Sequence, residues 1–157
     1  MSLRPLLRIV HIVAGLAAFA LVARFLAGTV RAELFGTAAE TVAAKLWIAW
    51  RLPLLVLAMA LAGASGLALA GRRPRGVAAV KMGRMRVIGA NGLLVLVPSA
   101  LFLAWQAAAL RLDALFYAVQ VVEIVAGGIN LALLGLNIRD GLRMKRRFGF
   151  AGRETPG

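Results

Sequence analysis

Residues 46–70, LWIAWRLPLLVLAMALAGASGLALA, carry a single charge, Arg51, and stop abruptly at Gly71, Arg72, Arg73, Pro74 and Arg75. A helix rises 1.5 Å per residue, so a hydrocarbon layer about 30 Å thick needs roughly 20 apolar residues to cross it. This stretch is long enough, and the glycine, proline and arginines behind it end a helix and hold it at a membrane surface.

Three further runs of the same kind lie on either side, at residues 6–27, 87–110 and 114–138. Hydrophobic residues make up 62% of the chain and charged residues 16%, with a mean hydropathy of +0.87, which leaves too little polar surface to clothe a soluble globule. The expected fold is an all-α integral membrane protein, with four transmembrane helices in an antiparallel bundle forming one domain over residues 1–157. Arg4 and Arg8 ahead of an apolar run, with Ala18 and Ala20 flanking Phe19, imitate a cleavable signal peptide. The run continues to Leu26, longer than a signal core, so a retained first span is expected.

Charge sets the expected orientation. The formal net charge of +13 is gathered before span one (Arg4, Arg8), between spans two and three (Arg72, Arg73, Arg75, Lys81, Arg84, Arg86) and after span four (Arg139, Arg143, Lys145, Arg146, Arg147, Arg153). The other two gaps are nearly balanced: Arg31 and Lys45 face Glu33 and Glu40, and Arg111 faces Asp113. The positive-inside rule then puts both termini and the basic loop 71–86 in the cytoplasm, as expected of a multi-pass protein of an inner, cytoplasmic membrane. Trp47, Trp50, Trp105, Phe116 and Tyr117 fall at the opposite span ends, half of an aromatic belt. Arg72, Arg73, Arg75, Arg84, Arg86, Arg143, Lys145, Arg146 and Arg147 are expected to meet anionic phospholipid headgroups, each worth about 1 kcal/mol near the surface. Nucleic acid is not an expected partner, because no aromatic interleaving accompanies the charge.

Local signals refine the picture. Thr37 and Glu40 form a capping-box pattern that starts the second helix outside the apolar stretch. Pro53 is expected to bend that helix, and Pro98 to kink the third by freeing the carbonyl of Leu94. Asp113 is a candidate N-cap for the fourth helix across a very short turn. Residues 28–36 form the only loop on that side with room for a fold of its own. Ala14, Ala18, Gly63, Gly66, Gly127, Gly128, Ala132 and Gly135 are expected at close helix contacts.

Polar residues inside the spans are the candidate site. Gln120, Glu123, Gly127, Asn130 and Asn137 share one face of span four, and that face cannot point at lipid. Glu123 comes out roughly 15 Å below the surface, where an ionised carboxylate needs a partner. Arg51 is the expected partner, reaching inward from span two, while Arg24 is expected to snorkel to the headgroups. His11, Ser65, Asn91 and Asn130 fall at one depth and suggest a polar layer supplied by all four helices. With one histidine and no cysteine, metal sites, disulfides and intramolecular bis-histidine haem have no ligand set. No catalytic triad, carboxylate pair or phosphate loop is present, so the chain is not expected to be an enzyme, and neither a cofactor nor a metal is expected.

LLRIVHIVAG at residues 6–15 and LAGASGLALAG at residues 61–71 resemble small bacterial four-span proteins near the copper-resistance D type. The resemblance covers under half the chain. It would imply copper handling, for which a lone histidine without cysteine supplies too few ligands, so no residue role is carried over. The expected function is therefore an accessory or assembly subunit of a larger membrane complex. Two alternatives follow from the polar residues: a small dimeric proton-coupled transporter using Glu123 with Arg51, Gln120, Asn130, Asn91 and His11, or a haem b or quinone binder using His11 across a homodimer.

Overall fold

A computed structural model describes residues 3–71 and 76–151, with side chains assigned up to residue 143 except at residue 78. All regular structure among them is helical: α1 Arg4–Phe35, α2 Ala38–Ala70, α3 Val77–Asn91, a π-helical segment Gly92–Leu96, α4 Val97–Ala108 and α5 Ala114–Ala151. Four helices are long and apolar enough to cross a membrane, namely α1, α2, the composite of α3 with the π segment and α4, and α5. Large apolar side chains such as Ile9, Leu54, Leu57, Leu93, Val121 and Val125 cover the outer surface, as befits a multi-pass membrane protein.

The boundaries follow from the residues that make them. Pro5 opens α1, where its missing N–H costs nothing. Residues 28–35, expected as a loop, instead extend α1 by two turns. Nothing in that stretch breaks a helix until Gly36, whose N–H bonds to Ala32 O at 3.0 Å. A Cβ at Gly36 would lie 2.5 Å from the same carbonyl oxygen, so only glycine closes the turn. Thr37 then caps α2: its hydroxyl accepts from Glu40 N at 3.3 Å, and Glu40 Oε2 accepts from Thr37 N at 2.7 Å. The connection between α1 and α2 is thus two residues long.

Pro53 sits inside an unbroken α2. Pro98 is accommodated differently, because the chain before it widens into the π segment, with Val97 N–H bonding to Gly92 O. Five-residue spacing in a helix ahead of proline absorbs the lost donor without a break. Residues 109–113 turn the chain into α5, with Leu110 at φ 55° and Asp113 Oδ1 accepting from Phe116 N at 2.9 Å. At the other end α5 continues helically through the basic segment expected as a tail, as far as Ala151.

The helices form a ring in which α1 packs on α2 and α5, α2 also on α3 and α4, and α5 on α3, the π segment and α4. The seam is legible as spacing. Ala14, Ala18, Val22, Phe25 and Thr29 are buried on α1, against Thr41, Lys45, Ile48, Leu52, Leu55, Ala58, Ala62 and Ser65 on α2. Intervals of three and four place each set on one helix face, as in a coiled-coil seam. A second cluster, Leu103, Ala107 and Phe116, joins α4 to the start of α5. Phe116, expected in the aromatic belt, is instead wholly buried there against Leu103 and Ala107, with its ring centre 5.4 Å from that of Tyr117 in an edge-to-face arrangement.

Candidate functional site: a buried lysine–glutamate pair

The buried stripe of α2 carries one charged residue, Lys45, and its ammonium lies against the carboxylate of Glu123 on α5. The lysine side chain is 1% exposed and the glutamate 11%. The same ammonium donates to Thr29 Oγ1 at 3.3 Å, so three helices meet at one group. Each ion removed from water costs several kcal/mol, and only close pairing with further hydrogen bonds offsets that cost. Beside the pair is a cavity of about 40 Å³ lined by Val22, Phe25, Leu52, Leu96, Thr29 and Glu123 among others. Its walls are apolar except for the threonine and the glutamate, and it has room for about one water.

Arg51 is not the partner of Glu123. It is exposed, its guanidinium stacks 4.0 Å from the centre of the Trp47 ring, and its Nη1 donates to Trp47 O at 3.4 Å. The reason is helical phase: Lys45, Ile48 and Leu52 share the inward face of α2, and Arg51 points off it. Lys45 stands just outside the apolar stretch, in the gap where the sequence balances it against Glu33 and Glu40, so composition alone does not point it at Glu123. The signal lay in the three-and-four spacing, which runs backward from Leu52 through Ile48 to Lys45 and Thr41. Arg24 likewise does not simply reach for headgroups but lies 5.0 Å over the Trp47 ring.

The expected four-helix polar layer is two separate pairs. On α1 and α2, His11 Nδ1 lies 2.9 Å from Ala62 O, and Ser65 Oγ is 3.4 Å from the same nitrogen while donating to Leu61 O at 2.5 Å. A backbone carbonyl only accepts, so Nδ1 carries the proton. On the other side, Asn91 Nδ2 donates to Ala126 O at 2.9 Å and to Asn130 Oδ1 at 2.8 Å, and Asn130 Nδ2 donates to Ile88 O at 3.3 Å. Both pairs stitch neighbouring helices, and no hydrogen bond among the described residues links either to Glu123.

Further along α5, Gln120 is 3% exposed and Asn137 7%, while Gln106 on α4 is 4% exposed. The side-chain oxygens of both glutamines, and both amide atoms of Asn137, are buried without a partner among the described residues. Gln106 stands in the last turn of α4, outside the polar stripe of α5. Of the expected headgroup contacts, Arg84 donates to Asp140 Oδ2 at 2.6 Å and ties α3 to α5, whereas Arg86 and Arg143 are exposed. Arg72, Arg73, Arg75, Lys145, Arg146 and Arg147 lie outside the residues whose side chains are described. No group of three His, Cys, Asp or Glu side chains among the described residues is placed to hold a metal.

Compared with protein-family models, with curated proteins and with solved structures, the chain matches none.

Proposed function

We propose that this chain is a non-enzymatic subunit of an inner-membrane complex, built as an antiparallel four-span bundle with both termini in the cytoplasm. The observation that carries the proposal is the closed Lys45–Glu123 pair. The one carboxylate deep in a span is already matched by a buried ammonium from another helix, with a threonine from a third. A triple tie of this kind holds three helices in one register rather than presenting a free carboxylate to a solute. The Asn91–Asn130 and His11–Ala62 bonds act in the same sense on the remaining helix contacts. The bundle's apolar exterior, interrupted by glycines with open space around them such as Gly15, Gly63 and Gly128, is the surface left for lipid and for a larger partner. Orientation rests on the arginine and lysine asymmetry between alternate gaps.

One observation favours a second function, proton-coupled transport: the small cavity reaches Glu123, and the unpaired oxygen of Gln120 lies one turn away on the same helix. Charge exchange separates the two. In a structural tie, Lys45→Glu and Glu123→Lys each destabilise the bundle, and combining them restores much of the loss. In a carrier, Glu123→Gln abolishes pH-gradient-driven flux in proteoliposomes while the protein remains folded, and that result would overturn the structural role.

A further inference from the structure

The polar opening at the end of the bundle where α1 gives way to α2 is separate from the ion pair. It is a groove of about 360 Å³ between the two helices, lined by Arg24, Gly28, Arg31, Glu40 and Trp47 among others. That size lies at the lower end of the roughly 300–1,000 Å³ typical of small-ligand sites. Arg24 lies along α1 rather than away from it: its guanidinium covers the Trp47 ring at 5.0 Å, and Nη1 passes 3.4 Å from where a Cβ on Gly28 would stand. The absent side chain at Gly28 leaves room for that guanidinium, and Arg31, about one turn further along α1 than Gly28, lines the same groove.

Neither arginine forms a salt bridge among the described residues. The one carboxylate lining the groove, Glu40, is engaged with Thr37, accepting from its N at 2.7 Å and from its hydroxyl at 3.1 Å. Two planar forks of N–H donors therefore face an open groove with an indole for its wall. Among the lining residues Arg24 and Arg31 outweigh Glu40 by one positive charge, and the Arg51 guanidinium on the Trp47 ring adds to it, so the groove suits an anion. Guanidinium forks match phosphate oxygens in pairs, and tryptophan is the residue that marks headgroup level.

We propose that this groove binds a phosphate group, with Arg24 and Arg31 as its donors and Trp47 as its wall, and that a phospholipid headgroup supplies it. The site stands whether or not the chain is a subunit of a larger complex.

Trp47 supplies the readout. In a Trp50→Phe/Trp105→Phe background, purified in a maltoside detergent that carries no phosphate, its emission is followed while short-chain phosphatidylglycerol or inorganic phosphate is added. The expected result is a saturable change with the phospholipid, weakened about tenfold or more by Arg24→Gln and by Arg31→Gln. Arg111→Gln, exposed in the turn after α4 and outside the groove, leaves it unchanged. Saturation by inorganic phosphate at similar concentrations keeps the phosphate site and makes free phosphate its source. A non-saturating response, or glutamine variants of unchanged helicity that respond as the parent does, overturns the proposal.

Discussion

Among the described residues, Lys45 and Glu123 differ from every other charged pair in how little water either sees. Arg84–Asp140 keeps 22% and 15% of its side chains exposed, whereas Lys45 keeps 1%. Removing one member of such a pair leaves an uncompensated buried charge, at about 3–5 kcal/mol, while replacing both by apolar groups of similar size is close to neutral. Glu123→Gln and Lys45→Met are therefore each expected to lower unfolding stability by several kcal/mol in detergent. Lys45→Met combined with Glu123→Leu is expected to recover most of it, and a double variant as unstable as the sum of the singles would show that the two side chains act independently. A second contact is set by a missing atom. A Cβ on Gly66 would stand 2.9 Å from His11 Cε1, and the ring cannot retreat while Nδ1 holds Ala62 O. Gly66→Ala is expected to cost about 1–2 kcal/mol through overpacking and the weakened bond. In a His11→Ala background the same change should cost little, as a double-mutant cycle on thermal unfolding would read out.

Elements were legible where periodicity or capping chemistry was local, and illegible where a helix end depended on what it packs against. The Thr37–Glu40 box and the Asp113 cap could be read from the sequence because each uses groups within three residues of one another. The extension of α1 through residue 35 could not, since polar Thr29, Arg31 and Glu33 resemble a loop until α2 is laid alongside and buries Thr29. The same polar run sets Lys45 apart from the apolar stretch, so the sequence offers Arg51 to Glu123 where the structure brings Lys45. Pro98 is legible as a disturbance but not as a π segment, because a kink and a widened turn both absorb the donor that proline lacks. One tie between elements is tunable by pH. Asp140 lies just past the apolar run of α5, and the hydrogen bond from Arg84 holds its carboxyl below its ordinary value of 3.8. The charges of Arg84 and Arg139 act in the same direction, and partial burial opposes them. A depressed carboxyl contributes stability that is complete above the unfolded value and disappears as pH falls through the folded one. Asp140→Asn should therefore be less stable than the parent at neutral pH, with the gap closing below pH 3.8; a gap constant from neutral to strongly acid pH would mean that the Arg84 tie adds nothing.

At the scale of the whole molecule, composition alone decided the solvent, because no arrangement of so apolar a chain hides its surface from water. What lies on which side of the membrane is decided instead by a few cations. The end of the bundle bearing Gly36 and Thr37 carries Arg31 and Arg111 near Glu33, Glu40 and Asp113, and is nearly balanced. The opposite end gathers Lys81, Arg84, Arg86, Arg139 and Arg143 against Asp140. Under the positive-inside rule the second end is the one expected inside. The chain contains no cysteine, so single substitutions report on position without background. Thr37→Cys, exposed between α1 and α2, and Gly83→Cys, exposed on α3 with open space around it, mark the two ends. In intact cells a membrane-impermeant maleimide should label Thr37→Cys and leave Gly83→Cys unmodified until the membrane is opened. The reverse pattern would invert the bundle and make the charge at the α3–α5 end a feature of the outer surface. Adding two lysines beside Thr37 should then discriminate further: if cation asymmetry sets the orientation, that variant yields a mixed population in which both cysteines react in part, whereas a bundle oriented by its helix packing keeps the parent pattern.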